Sequence, residues 1–358
     1  MKPLLRRPSV TAVVAAGAAG WALQHRTVRH YRSAVASFGS AAYEAFARAA
    51  GEARSSGPRW DDDLAVPGDV THHTVVTDDG GRIHAIERGS GSPILLVHGV
   101  TLDATIWAYQ LRDLAGSHRV VAIDQRGHGA SLGGSGGYGI ARLAGDIACV
   151  LEGLDLDGCL VVGHSLGGMA ACELAATQPP AFGRVAGIAL VATTGGITYG
   201  VPRLASALER AVTPAELVLE WAAGRGQSLL VTRDTSYWAT RLAFGSSPSP
   251  AHLAVTEHMI AAMSPRPMPD ILRSIVTWQA WGRLSGVGCP VAVVSGGKDR
   301  LTPPWHARRL AREIPAAGLV ELPGAGHMVM LERRDDLAGV LMDAARDPET
   351  SRRRPRGP

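Results

Sequence analysis

The chain has 358 residues, of which 46% are hydrophobic and 19% are charged, values typical of a globular protein and not of a disordered one. Its net charge of +4 arises at the two ends, because residues 1–60 carry nine Lys or Arg against two Glu and the last eight residues add four Arg. The body between them is acidic, which argues against a nucleic-acid-binding surface there.

Near the N-terminus an uncharged run of mostly small and apolar residues, Ser9–Leu23, lies between basic segments. It is shorter than the roughly 20 residues that span a bilayer. Three interpretations of residues 1–60 remain open: an uncleaved anchor or membrane-dipping helix, an export signal, and a loosely packed helix. The first predicts contact between residues 1–32 and a membrane surface, the second predicts export, and the third is compatible with a cytoplasmic protein.

A linker rich in Gly, Pro and charge precedes the folded domain, which is predicted to begin near Val70. Two short segments, 74–77 and 82–87, flank the turn sequence DDGG and predict a β-hairpin. Continuous apolar runs then alternate with segments of helical periodicity, such as 140–151 and 169–176. The runs are typical of strands buried on both faces of a parallel sheet: Ile94–Val97, Val120–Ile123, Leu160–Val162, Ile188–Val191, Val291–Val294 and the weaker Leu319–Leu322. The pattern predicts an α/β fold with a mostly parallel sheet flanked by helices.

One connection, between the runs that end at Val191 and begin at Val291, is far longer than an ordinary crossover. It contains helical patches rich in Trp, Met, Leu and Ala, broken by proline clusters. We therefore predict an inserted helical cap, whose aromatic and Met side chains either line an apolar pocket or form the cap's own core. The predicted boundaries are 70–194 and 287–346 for the two parts of the core, 195–286 for the cap and 347–358 for a basic tail.

Reactive side chains follow the predicted strands at their carboxyl ends, where the functional groups of an open α/β sheet collect. Ser165, Asp299 and His327 each come just after a strand, in that order. A serine hydroxyl is a weak nucleophile until a histidine accepts its proton, and a carboxylate holds that histidine in the required tautomer. The three residues are therefore the set that a serine hydrolase needs. An alternative role for Asp299 is to cap the helix that begins near Pro303.

Five motifs at these positions resemble those of the α/β-hydrolase superfamily over roughly residues 70–346. They are HGV at 98–100, DQRGHGAS at 124–131, GHSLGG at 163–168, GGKDRLTP at 296–303 and GAGHMVMLERRDDL at 324–337. The resemblance implies that Ser165 is the nucleophile on a sharp strand-to-helix turn, the nucleophile elbow, that His327 is the general base, and that Asp299 is the acid that orients it. It also implies that the backbone N–H groups of Val100 and Leu166 form the oxyanion hole.

Other polar residues of these motifs are predicted to be structural. His98, Asp124, Arg126 and His128 are expected to organise the loops after their strands, and His164 receives no role. No phosphate loop, dinucleotide fingerprint or metal-ligand spacing occurs in the sequence, so no cofactor and no metal are predicted.

The sequence therefore predicts a serine hydrolase that cleaves a carboxylic ester of an apolar or lipid-like small molecule through an acyl-enzyme intermediate. Serine at position 165 argues against epoxide hydrolases and haloalkane dehalogenases, which have aspartate there. The same framework supports C–C bond hydrolysis, amide or lactone cleavage and cofactor-free perhydrolysis of the haloperoxidase kind. Two alternatives of other classes remain, a non-catalytic small-molecule receptor and a membrane-anchored partner protein. The oligomeric state is not predicted.

Overall fold

The computed structural model describes residues 62–197, 240–315 and 317–346. The predictions made for residues 1–60, for the first half of the cap and for the basic tail concern residues outside these ranges. Among the residues that are described, no helix combines the length and the apolar character needed to cross a bilayer.

The described strands form a single eight-stranded sheet. In chain order they are β1 (Thr71–Val76), β2 (Arg82–Arg88), β3 (Pro93–Val97), β4 (Arg119–Ile123), β5 (Cys159–His164), β6 (Val185–Val191), β7 (Val291–Gly296) and β8 (Ala317–Leu322). Their order across the sheet is β1-β2-β4-β3-β5-β6-β7-β8. The predicted hairpin is confirmed by the antiparallel pair β1–β2, and β2 also pairs antiparallel with β4. All other neighbouring pairs are parallel, which confirms the predicted mostly parallel sheet.

Helices in the described ranges flank this sheet. They are α1 (Ala108–Leu114), α2 (Ile140–Gly153), α3 (Leu166–Thr177), α4 (Pro250–Ala262), α5 (Met268–Thr277), α6 (Pro304–Glu313), α7 (Val329–Glu332) and α8 (Arg334–Arg346). The helices α4 and α5 lie in the long connection between β6 and β7. The Ser249 hydroxyl accepts a hydrogen bond from the His252 N–H and Pro250 occupies the first helical position, a combination that favours the start of α4 at this point.

Alternate residues of the central strand β3 pack into two different cores. Leu95 and Val97 lie in the core that contains residues of α2 and α3, whereas Ile94 and Leu96 lie in the core that contains residues of α1 and α8. All four side chains are fully buried, and each contributes about 2 kcal/mol through removal of apolar surface from water. Because both faces are covered, the strands appear in the sequence as continuous apolar runs.

The parallel strands bring the ends of β3 to β8 to one edge of the sheet. Ser165 follows β5 directly, Asp299 follows β7 and His327 follows β8. The three residues that the sequence singles out therefore leave the same edge of the sheet, where α/β folds commonly place their functional groups.

The loop after β4 is fixed by a buried guanidinium at this edge. Arg126 donates from Nε and Nη2 to Asp146 of α2, and from Nη1 to Asp79 of the hairpin turn at 2.9 Å. The Arg126 side chain is fully buried and that of Asp146 nearly so. Burial raises the pKa of Asp146, although its bonds to Arg126 oppose that shift, whereas the bond from Arg126 lowers the pKa of Asp79. Removal of Arg126 would therefore leave the buried carboxylates of Asp146 and Asp79 without their shared partner.

Replacing Arg126 with methionine, which preserves much of the side-chain volume, is expected to lower the free energy of unfolding by about 3–5 kcal/mol. The reason is that Asp146 loses its main partner inside the protein. Urea denaturation at neutral pH measures the change. A second variant, Arg126→Met with Asp146→Asn, removes the orphaned charge and is expected to recover part of the loss. A loss below about 1 kcal/mol for the single variant would show that the network contributes little.

Candidate active site

Ser165 lies on a sharp turn between β5 and α3. Its backbone has φ 51° and ψ −114°, a conformation that costs a non-glycine residue about 1–3 kcal/mol. The turn is held by hydrogen bonds from the Ser165 N–H to Val191 O, at 3.0 Å, and from Thr193 Oγ1 to Ser165 O, at 2.6 Å. The flanking glycines are required by close approach, because a Cβ on Gly163 would lie only 2.5 Å from Gly167 O. The local fold thus maintains a strained serine at the strand end.

His327 and Asp299 form a buried pair. His327 Nδ1 lies 2.9 Å from Asp299 Oδ2, and each residue is only 4% exposed. Because a carboxylate oxygen accepts from Nδ1–H, this bond leaves the lone pair of Nε2 available to accept a proton. The arrangement therefore prepares His327 to act as a base.

Asp299 is also held by the turn that precedes α6. Its Oδ1 accepts from the N–H groups of Leu301 and Thr302, and its Oδ2 accepts from the Thr302 hydroxyl at 2.8 Å. Burial by itself raises the pKa of the carboxyl, but the charge and hydrogen bond of His327 and the donors of Thr302 outweigh burial and lower it. Asp299 thus bonds to the histidine and caps the turn at residues 301–302. The alternative role, as a cap of the helix that begins near Pro303, is wrong, because Pro303 is the N-cap residue of α6 and no side chain caps that helix.

His164, which has no predicted role, links the turn that carries Ser165 to the loop that carries His327. Its Nε2 donates to His327 O at 3.0 Å, and the two imidazole rings lie 4.8 Å apart between centroids. Burial, together with the charge that His327 carries when protonated, holds the pKa of His164 well below its usual range. The ring is therefore neutral at ordinary pH.

In the described part of the chain the Ser165 hydroxyl has no hydrogen-bond partner, and free enzymes often show such loose geometry.

The loop after β3 lies against the serine turn. A Cβ on Gly99 would lie 2.8 Å from His164 Nδ1 and 3.0 Å from Ser165 Cβ, so a larger residue here would require the neighbouring side chains to shift. The Gly167 N–H donates to His98 O at 3.1 Å and binds the loop to α3. Within the ranges that the structure describes, the N–H groups of Val100 and Leu166 donate to no protein acceptor. No described protein acceptor therefore competes for these two N–H groups.

Two buried imidazoles support this loop. His98 Nε2 accepts from the Gln125 N–H at 2.9 Å, and His128 Nε2 accepts from the Thr101 N–H at 3.3 Å. The other ring nitrogen of each bonds to a backbone carbonyl. Burial lowers the pKa of His98, and burial with the charge of His98 lowers the pKa of His128 to about 3. In each ring one nitrogen accepts and the other bonds to a carbonyl oxygen, so both rings are neutral. The bond to His128 helps to hold Thr101, whose φ of 65° is unfavourable for a β-branched residue.

The acidic and basic groups of the described ranges do not form a metal centre. No group of three or more His, Cys, Asp or Glu side chains in those ranges is arranged to hold a metal ion. What the arrangement offers chemically is a serine hydroxyl, a paired base and two backbone donors at one edge of the sheet.

Comparison with known proteins gives a consistent result. A family model described as the alpha/beta hydrolase family matches residues 94–340. Among curated proteins, the dihydrolipoyllysine-residue acetyltransferase component of the acetoin cleaving system of Cupriavidus necator is 30% identical over 271 residues. That match covers 74% of this chain and 66% of the relative, so the chain spans just under two thirds of the relative's length.

Solved structures share the fold. An esterase from Exiguobacterium antarcticum superposes with a TM-score of 0.65 at 18% identity, covering 77% of this chain and all of the other. Est816, an N-acyl homoserine lactone degrading enzyme, superposes with a TM-score of 0.58 at 28% identity, covering 76% of this chain and 99% of the other. The similarity to the Exiguobacterium antarcticum esterase concerns the fold alone. The similarity to Est816 includes moderate sequence identity as well.

Proposed function

The chain belongs to the alpha/beta hydrolase family, and on that premise we propose that it is a serine hydrolase that cleaves carboxylic esters through an acyl-enzyme intermediate. The observation that carries this proposal is the buried His327–Asp299 pair, at 2.9 Å, at the same sheet edge as a serine on a strained strand-to-helix turn. Structural roles alone would explain each residue separately, but they would not require strain at Ser165.

In the proposed first half-reaction, Ser165 Oγ attacks the ester carbonyl carbon and its proton passes to His327 Nε2. Asp299 stabilises the imidazolium that forms, because its lowered pKa keeps it ionised. The carbonyl oxygen becomes negatively charged and accepts hydrogen bonds from two backbone N–H groups, those of Val100 and Leu166. One such donor lowers the barrier by about 3 kcal/mol.

The second half of the proposed reaction restores the enzyme. His327 gives its proton to the departing alcohol, and the acyl group remains on Ser165. Water then attacks the acyl carbon while His327 accepts its proton, and Ser165 Oγ leaves with that proton. The carboxylic acid is released, and no cofactor takes part in these steps.

The proposed substrates are esters with an apolar part, and cyclic esters belong to the same class. Met259, Ile271 and Trp281 of the connection between β6 and β7 pack into the hydrophobic cores, so the proposed apolar part of the substrate rests on the similarity to known esterases and lactone-degrading enzymes and not on these side chains. Est816 degrades N-acyl homoserine lactones, which supports the inclusion of lactones with apolar acyl chains. Hydrolysis of a lactone uses the same attack on a carbonyl carbon, so one mechanism serves both kinds of ester.

Labelling with a fluorophosphonate probe, followed by peptide mass spectrometry, tests the serine assignment on the full-length chain. The probe is expected on Ser165, and labelling at another residue would contradict the mechanism. A panel of p-nitrophenyl esters and N-acyl homoserine lactones of graded chain length then tests the substrate class. Repeated turnover of at least one member is expected, whereas a single acylation without turnover would favour a receptor on the same fold.

A further inference from the structure

The backbone of His327 is held from both sides. Its N–H donates to Ala243 O at 2.6 Å, and the same oxygen accepts from the Met328 N–H at 3.2 Å. Its carbonyl oxygen accepts from His164 Nε2. Ala243 lies near the middle of the connection between β6 and β7, ahead of α4. The base therefore depends on contacts with that connection as well as with the core.

The segment Ala243–Ser246, which we call the return segment, runs beside the loop that carries His327. Besides the bonds to Ala243, the Ser246 N–H donates to Gly324 O at 3.2 Å. The two backbones touch without intervening side chains, because a Cβ on Gly326 would overlap the nitrogen of Gly245. A small shift of the return segment would consequently displace Gly326 and the histidine that follows it.

One carboxylate joins these two backbones. Glu332, the last residue of α7, accepts from the Gly326 N–H through Oε1 at 2.8 Å and from the Gly245 N–H through Oε2 at 2.7 Å. An ionised carboxylate only accepts hydrogen bonds, so it suits two backbone donors. Glutamine would offer one oxygen and one NH2 group, and alanine would leave both N–H groups without this acceptor.

We propose that Glu332 is a positioning residue that holds the return segment against the loop of His327 and thereby places the imidazole for proton transfer. The inference rests on the proposed function of His327 as the base. It also means that the connection between β6 and β7 affects proton transfer at His327 through its contact with Glu332.

The kinetic test compares Glu332→Gln and Glu332→Ala with the wild-type chain, using an ester that the wild type turns over. We expect kcat per active site to fall about 10-fold for the first and about 100-fold for the second, with KM changed less than about twofold, because displacement of a catalytic group by about 1 Å costs up to this much. Active sites are counted with the fluorophosphonate probe. Asp336→Asn is the matched control, since Asp336 is an exposed partner of Arg333 and should leave kcat unchanged.

A spectroscopic readout is independent of turnover. In ¹H NMR spectra, the Nδ1 proton between His327 and Asp299 is expected at low field and is assigned by its loss in Asp299→Asn. Glu332→Ala is expected to shift and broaden this resonance, and Asp336→Asn is not. If the wild type hydrolyses no ester but Glu332→Ala still moves the resonance, the proposed function fails and the positioning role stands. An unchanged resonance, or a loss of activity fully explained by fewer active sites, would overturn the role of Glu332.

Discussion

Replacing Ser165 with alanine is expected to lower kcat for ester hydrolysis by a factor on the order of 10⁴ to 10⁶. The alanine variant has no oxygen to form the acyl-enzyme, so the remaining groups would only bind and polarise the ester. Single-turnover and steady-state kinetics on the same ester measure the loss. Labelling by the fluorophosphonate probe is expected to disappear in parallel.

The fold should survive this change, which makes the kinetic result interpretable. The bonds that hold the turn use the backbone N–H and C=O of residue 165 and not its hydroxyl. Alanine at φ 51° is strained about as much as serine, and the free energy of unfolding should change by less than about 1 kcal/mol. Ser295→Ala, at a buried serine of β7, which is separated from β5 by β6, is the matched control and should remain active. Wild-type turnover by Ser165→Ala would exclude Ser165 as the nucleophile.

The strands were predictable wherever burial on both faces produces a continuous apolar run in the sequence. The apolar runs of β3 to β7 are continuous because helices cover both faces of those strands, and their positions agree with the structure. The run at Leu319 was weaker because β8 lies at the edge of the sheet, where Gly318 and Leu319 are exposed. The hairpin was predictable from its turn chemistry alone.

The residues proposed for the chemistry were predictable because parallel strands end at one edge, but their supports were not. Glu332 bonds to Gly245, which is 87 residues away in the chain, and no local pattern signals such a bond. His164 lies in a turn motif whose sequence says nothing about the carbonyl of His327. Contacts of this kind depend on how loops that are distant in the sequence pack together, so they can be identified only from the three-dimensional structure.

Replacing Asp299 with asparagine is expected to lower kcat by about 10⁴-fold while the fold is kept. The asparagine oxygen can still accept from the N–H groups of Leu301 and Thr302, so the turn before α6 retains its cap. Its NH2 group, however, would face His327 Nδ1 and favour the tautomer that carries the proton on Nε2. That tautomer cannot accept the proton of Ser165, and the variant also has no charge to stabilise an imidazolium.

The same substitution has a defined effect on stability as a function of pH. The pKa of Asp299 is lower in the folded chain than in the unfolded one, so its ionised form stabilises the fold above the unfolded pKa of about 4, and this contribution is lost as the pH falls below that value. Asparagine has no such dependence. The difference in unfolding free energy between wild type and Asp299→Asn should therefore be largest near neutral pH and shrink toward pH 3, as urea denaturation across that range would measure. A difference that grows on acidification, or wild-type kcat in the variant, would contradict an ionised Asp299 that orients His327.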